Sequence, residues 1–124
     1  MRRGFAAWNA GDIDAALELM HPEIKWRSRG VFPDVDDVYS GREGVRRFRS
    51  HFGGPWESIE LDARELSEVG EYVLANILFR ARGRDGIAVE RELGQLYRVR
   101  DGLVVEARSY ATPADSRAAA ARPA

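Results

Sequence analysis

The sequence predicts an α+β fold on three observations: helical periodicity confined to the first third, strand patterning through most of the rest, and short glycine-centred turns between the strands. At the front, Phe5, Trp8, Ile13, Ala16, Leu17 and Met20 recur at three- and four-residue spacing, with a break at Asn9-Ala10-Gly11-Asp12. Gly11 suits the left-handed residue that ends one helix and Asp12 the N-cap of the next, so two short helices meet at a tight corner. The second ends before Pro22, and Glu23-Ile24-Lys25-Trp26-Arg27 alternates as a strand does. A polar loop follows from about Ser28 to Ser40, holding Gly30, Pro33 and the acids Asp34, Asp36 and Asp37. Ser40 and Glu43 have capping-box spacing ahead of the apolar stripe Val45, Phe48 and Phe52, which marks a third helix ending at Gly53-Gly54-Pro55.

Four strands are predicted at about 56–69, 71–82, 88–99 and 103–112, with turns at Val69-Gly70-Glu71, Gly83-Arg84-Asp85-Gly86 and Arg100-Asp101-Gly102. Connections this short imply antiparallel hairpins, hence a curved, mostly antiparallel sheet folded around three N-terminal helices. Charge pairing selects a register. A three-residue loop 85–87 sets Arg82 opposite Glu90 and Arg80 opposite Glu92, two pairs of about 0.2–1 kcal/mol each. Gly102 as a left-handed bulge residue sets Val99 opposite Leu103. The inner face then carries Ile77, Phe79, Leu93, Gln95, Tyr97, Val105, Ala107 and Ser109, and charged residues such as Arg80, Glu92 and Arg108 face outward. Residues 113–124 are mainly Ala, Arg and Pro and predict a frayed end or at most a short helix.

A chain of 124 residues supports one core and not two. The absence of cysteine removes disulfides, thiol catalysis and cysteine-based zinc sites together. Nineteen basic against twenty acidic side chains, net −1, attract neither nucleic acid nor an anionic membrane. Lys25 is the one lysine among those 19 cations, which suggests the arginine bias of a GC-rich bacterial genome. No apolar run approaches the roughly 20 residues of a bilayer span, and no apolar stretch follows Met1-Arg2-Arg3-Gly4, so a cytoplasmic location is expected.

The segments Phe5-Ala6-Ala7-Trp8-Asn9-Ala10-Gly11-Asp12-Ile13-Asp14-Ala15-Ala16-Leu17 and His21-Pro22-Glu23-Ile24-Lys25-Trp26 resemble the opening of SnoaL-like proteins, within the nuclear transport factor 2-like superfamily. Tyr39-Ser40-Gly41-Arg42-Glu43-Gly44-Val45 is similar to the start of that family's third helix, and Val99-Arg100-Asp101-Gly102-Leu103-Val104 with Tyr110 to its last hairpin. The resemblance covers residues 1–112. It implies a cone-shaped α+β barrel around one deep apolar pocket, commonly a homodimer through the outer sheet face, where Leu74, Leu78 and Leu96 stand among charges. Related chains have more helix before the segment matching Arg2-Arg3-Gly4-Phe5; from Met1 about 9 residues give roughly 13 Å of helix, so either that helix is short or the start is internal.

The superfamily hosts several chemistries, and the residues that carry them can be matched one by one. Against ketosteroid isomerases, Phe5 stands at the tyrosine position, Ser28 at the base and Gln95 at the neutral acid; Phe donates no hydrogen bond and Ser is no useful base. Against limonene-type epoxide hydrolases, Ile77, Phe79 and Ser109 replace the Asp-Arg-Asp set. The acid on which SnoaL-type polyketide cyclases depend has no counterpart on the inner strands. His51 follows Phe48 by three residues: it either reaches the pocket as an acid-base group or caps the helix end in solvent. His21 before Pro22 reads as local structure. Asp34, Asp36 and Asp37 either rim the pocket or stay solvated. There is no H-E-x-x-H, Gly-rich phosphate loop or G-x-S-x-G, so no metal or cofactor is expected.

Trp8, Trp26 and Tyr39 border the pocket in the family and serve either as core or as a platform for a planar ligand. Gln95, an amide on an apolar strand, needs a partner: Ser109, Arg91, water or ligand. The expected function is binding of a small apolar molecule at Trp26, Tyr39, Gln95 and Ser109, without the family's catalytic acids. The alternative is a polyketide cyclase, isomerase or hydrolase acting on a polyketide- or steroid-like compound, with His51 or a loop aspartate as the catalytic group.

Overall fold

Gly11 adopts φ 78° between α1 (Arg2–Asn9) and α2 (Ile13–Glu18), and the Asp12 carboxylate accepts from the Ala15 N–H at 3.2 Å, so the expected corner and cap both form. The chain is represented by a computed structural model that describes residues 1–31, 35–54 and 56–121. After the corner come β1 (Met20–Arg27), β2 (Val38–Ser40), α3 (Gly41–Gly53), β3 (Trp56–Val69), β4 (Tyr72–Gly83), β5 (Ala88–Arg100), β6 (Leu103–Tyr110) and α4 (Pro113–Ala120).

The six strands form one mixed sheet in the order β2-β1-β6-β5-β4-β3, with β1 parallel to β6 and every other pair antiparallel. This corrects the expected barrel with three leading helices. The sheet stays open, with β2 and β3 as its edges, and is neither closed nor strongly curled; only α1 and α2 precede it. Val38-Tyr39-Ser40, inside the expected loop, adds a short strand by pairing with Lys25-Trp26-Arg27, and α3 follows β1 and β2 at the position expected for the third helix. The capping box does not form either. The Ser40 hydroxyl accepts from Lys25 Nζ at 3.0 Å, and Glu43 faces Arg46 at 3.5 Å.

The hairpin registers also differ from expectation. Gly86, at φ 85°, ends a three-residue loop 84–86, so Arg80 lies opposite Glu90 and Phe79 opposite Arg91, a shift of two residues. At the next turn Asp101 and Gly102 both have positive φ, 52° and 78°, which makes a two-residue connection with Arg100 opposite Leu103. A bulge between Arg98 and Val99 adds a second step, so that Arg98 faces Glu106. A shift of two preserves every face, since side chains alternate with period two. Between the bulge and the turn the shift is only one, and there Val104 turns inward instead of Val105.

One sheet face is packed by α1, α2 and α3. Its core runs as linked aromatic contacts: Trp8 on Trp26 (5.6 Å between centroids, 3° between planes), Trp26 on Phe48 (5.1 Å), Phe48 on Phe52 (5.4 Å), Phe52 on Phe79 (5.6 Å) and Phe79 on Trp56 (5.8 Å). The opposite face receives α4, the short helix of the tail, whose Thr112 cap accepts from the Asp115 N–H at 3.1 Å. Gly94, between the inward Leu93 and Gln95, leaves no room for a Cβ, because Ser116 Cβ would lie 2.7 Å away and the Thr112 carbonyl 3.0 Å.

A candidate ligand cavity

Two side-chain clamps fix the helices that cover the inner face. The Asn9 amide donates to the Leu61 carbonyl and accepts from the Leu61 N–H, both at 2.9 Å, so the end of α1 is held to the edge strand β3. Arg42 of α3 donates twice to the Met20 carbonyl, at 3.0 and 2.7 Å. The aromatic chain fills the space under α3. Under α1 and α2 it does not, and a cavity of about 320 Å³ remains.

Phe5, Trp8, Trp26, Leu61, Tyr97 and Val104 supply most of its buried wall, with Gln95 as the buried amide. Its charged lining side chains are Arg3 and Glu68, both exposed at the mouth. Tyr97 donates to Gln95 Oε1, and Gln95 Nε2 donates to the Ser109 hydroxyl at 3.2 Å, so the buried polar groups of β5 and β6 satisfy one another. Burial pushes the Tyr97 hydroxyl pKa well above the usual tyrosine value, which keeps it a neutral donor.

The indoles are different. Among the described residues neither Trp8 Nε1–H nor Trp26 Nε1–H has a hydrogen-bond partner, although both are buried, and the Ser28 hydroxyl just beyond β1 has none there either. A buried donor left unmet costs about 1–3 kcal/mol. Trp8 also meets a charge: the Arg49 guanidinium lies 5.4 Å from its ring centroid, and partial burial draws the Arg49 pKa down.

Of the four residues expected to bind ligand, Trp26 and Gln95 line this cavity. Tyr39 does not. It lies opposite Trp26 across the β1–β2 pair, and its hydroxyl accepts from the Asp36 N–H at 2.9 Å and meets His51 Nδ1 at 2.7 Å. Tyr39 is buried and His51 exposed, so this pair joins the core to the surface away from the cavity. Ser109 sits behind Gln95 and also borders a separate polar groove with Arg29, Arg91, Arg108 and Tyr110. His21 Nδ1 accepts from the Glu23 N–H at 3.0 Å, a local turn contact. Asp36 and Asp37 are exposed and line no part of the cavity; Asp34 lies outside the described residues. Among the described residues no three His, Asp or Glu side chains converge as a metal-binding group, and no helix is long and apolar enough to cross a membrane. The Asn9 clamp has no sequence signal, since an Asn at a helix end reads as an ordinary terminator. Phe5 and Tyr97 likewise gave no sign of lining a ligand site, because apolar spacing reads the same for core and cavity wall.

Comparison with solved structures returns the same fold at low sequence identity. TerC, co-crystallised with polyporic acid, superposes with a TM-score of 0.80 at 18% identity, over 98% of this chain and 95% of that one. An NTF2-like protein of unknown function from Burkholderia pseudomallei K96243 gives 0.82 at 18% identity, over 98% and 94%. Bal32a, from a soil-derived mobile gene cassette, gives 0.78 at 22% identity, over 88% and 83%. No curated protein matches the sequence. The family match is direct: residues 1–107 fit the SnoaL-like domain, and the chain belongs to that family.

Proposed function

We propose that the protein is a receptor for a small apolar molecule, held in the cavity between α1, α2 and the sheet. One observation carries this reading: the wall is apolar and aromatic, and its buried polar side chains on β5 pair with one another rather than standing ready as acid or base. Trp26 and Gln95 would meet the ligand; Tyr39 and Ser109 would support them from behind. The complex of TerC with polyporic acid is consistent with a ligand role for this fold.

Turnover is the second reading, and the Tyr39–His51 hydrogen bond favours it, since it joins a proton donor to an imidazole. Its place away from the cavity wall weighs for binding without turnover, as does the neutral Gln95 where a carboxylic acid would act. We also propose a homodimer through the outer sheet face, on the half-buried Leu74 and Leu78; Leu96, the third leucine there, is already buried within the chain. The test of the receptor reading is native mass spectrometry of protein purified from cells, beside the variant Val73→Phe, which places an aromatic ring in the cavity wall. A retained small molecule in the parent chain, lost in a folded Val73→Phe, supports the reading. A ligand-free mass together with no thermal stabilisation by any of a panel of uncharged polycyclic compounds contradicts it.

A further inference from the structure

β1 stays paired with β6 as far as Arg27 opposite Arg108, and there the two strands part. Arg29 and Gly30, at φ 56° and 70°, turn the chain away, and the Val31 N–H closes the turn on the Ser28 carbonyl at 3.1 Å. Between this turn and α4 an open groove of about 570 Å³ runs over the end of β6, and no residue lining it lines the cavity under α1. Arg29, Arg91 and Arg108 line it against one carboxylate, Asp115. Each guanidinium, and not only its stem, lies at the groove wall. The Arg29 guanidinium is 4.6 Å from the centroid of the Tyr110 ring. Arg91 Nη1 donates to the Val31 carbonyl at 3.3 Å, and Arg108 Nη2 donates to the Tyr72 hydroxyl at 3.4 Å. Tyr110, Val31 and Tyr72 are themselves groove residues. Arg91 is thus not the partner of Gln95 that its place on β5 suggests.

Arg108 shares the Glu106 carboxylate with Arg27, at 3.1 and 2.8 Å. Among the described residues neither Arg29 nor Arg91 forms an ion pair. We infer that this groove is a second binding site, for a small-molecule phosphate monoester in its dianionic form, gripped by the Arg29 and Arg91 guanidiniums. It does not depend on the cavity being a ligand site. Stacking on Tyr110 fixes the plane of the Arg29 guanidinium and leaves its N–H edge free for a bidentate bond. Arg91 spends one N–H on Val31 and keeps the others. The two cations come from different elements, the turn after β1 and β5. A tetrahedral phosphate has oxygens enough to meet both in bidentate fashion, whereas the two oxygens of a carboxylate are taken up by one guanidinium. Two unmatched positive charges also match a dianion. Asp115, an acceptor when ionised, suits a hydroxyl on the body of the ester. The overall charge of −1 conceals this site, because it sums over the whole chain what the groove concentrates locally.

The test titrates glycerol 2-phosphate into the full-length ¹⁵N-labelled protein in low-salt buffer, with acetate and glycerol as comparison probes. Arginine Nε–H resonances are followed. The expected result is saturable shifts at Arg29 and Arg91, binding about ten-fold tighter than acetate, and no response to glycerol. Affinity should fall about ten-fold on acidification from pH 7.5 to 5, as the monoester loses its second charge near pH 6. Arg29→Gly suits the positive φ of the turn and removes the guanidinium without disturbing the backbone. It and Arg91→Ala should each weaken binding about ten-fold. Arg84→Ala, in the turn between β4 and β5 and outside the groove, should leave binding unchanged. Acetate binding as tightly as the phosphate, shifts spread equally to Arg84, or unchanged affinity in folded Arg29→Gly and Arg91→Ala would each overturn the inference. So would the lack of any saturable response up to about 10 mM. All of these outcomes leave the reading of the apolar cavity untouched, and the titration of the parent protein holds even if a variant misfolds.

Discussion

Asn9 pairs through its side chain with both backbone groups of Leu61, taking up the N–H and C=O that this residue turns toward the free edge of β3. The same clamp holds in place the helix that carries Phe5 and Trp8 to the cavity. Asn9→Ala should lower unfolding free energy by about 1–2 kcal/mol in urea titrations and weaken ligand binding along with it. Asn9→Asp, which keeps the acceptor and loses the donor, should fall between. A stability unchanged by either substitution would show that the edge is held by other contacts.

Glu106 gives the fold an acid-sensitive point. Burial alone would raise its pKa, but hydrogen bonding from Arg27 at 2.8 Å and the Arg108 guanidinium at 3.1 Å hold it below the usual carboxylate range. A folded-state pKa below the unfolded one gives stability that is present above about pH 4.3 and lost as pH falls through the folded value. Melting temperature should therefore drop on acidification through that window, and Glu106→Gln should flatten this part of the curve. Parallel acid profiles for the two proteins would rule the effect out.

Tyr97 works at the other end of the scale. Burial raises its pKa, so its contribution is fully present below the ordinary tyrosine value near 10 and is lost as pH rises through the folded value. Tyr97→Phe strips the Gln95 carbonyl oxygen of its donor and should cost about 1–2 kcal/mol at neutral pH, while making stability less sensitive to alkali. Thermal denaturation between pH 7 and about 11 measures both. An unaltered alkaline slope would contradict the assignment.

Gly94 and Ser116 should be energetically coupled. A methyl group at position 94 runs into Ser116, so Gly94→Ala should destabilise by about 1–3 kcal/mol and loosen α4. Adding Ser116→Gly should recover much of the loss, and a double-mutant cycle reads the coupling directly. Additive effects would place α4 elsewhere. If the outer face also forms a dimer, Leu74→Glu should shift sedimentation velocity from dimer to monomer; a monomeric parent protein would remove the dimer proposal.

The long strands are legible because alternation and turn residues mark them independently: β3 matches the expected 56–69, and β5 differs from 88–99 by one residue. Most faces also survive the wrong register, since an error of two residues does not change side. What escapes the sequence is short or non-local. Val38-Tyr39-Ser40 makes a strand only because Lys25-Trp26-Arg27 is there to pair with, and three residues carry no periodicity of their own. That strand adds an edge to the sheet beside β1, just ahead of the third helix. Val104 replaces Val105 on the inner face through a bulge with no sequence mark. At the site, Trp26 and Gln95 are legible as an aromatic and an amide on inward positions. Tyr39 is legible as buried, but not as turned toward His51, which depends on where α3 docks.

The central claim is that an apolar molecule occupies the hollow beneath α1. Its most direct measurement is an amide and methyl NMR titration with fluorene, an uncharged hydrocarbon that probes the hollow without polar contacts. Saturable one-to-one shifts centred on Phe5, Leu61, Tyr97 and Val104 are expected, absent in folded Val73→Phe. Shifts centred instead on Arg29, Arg91 and Tyr110, or no saturable response anywhere, would contradict it.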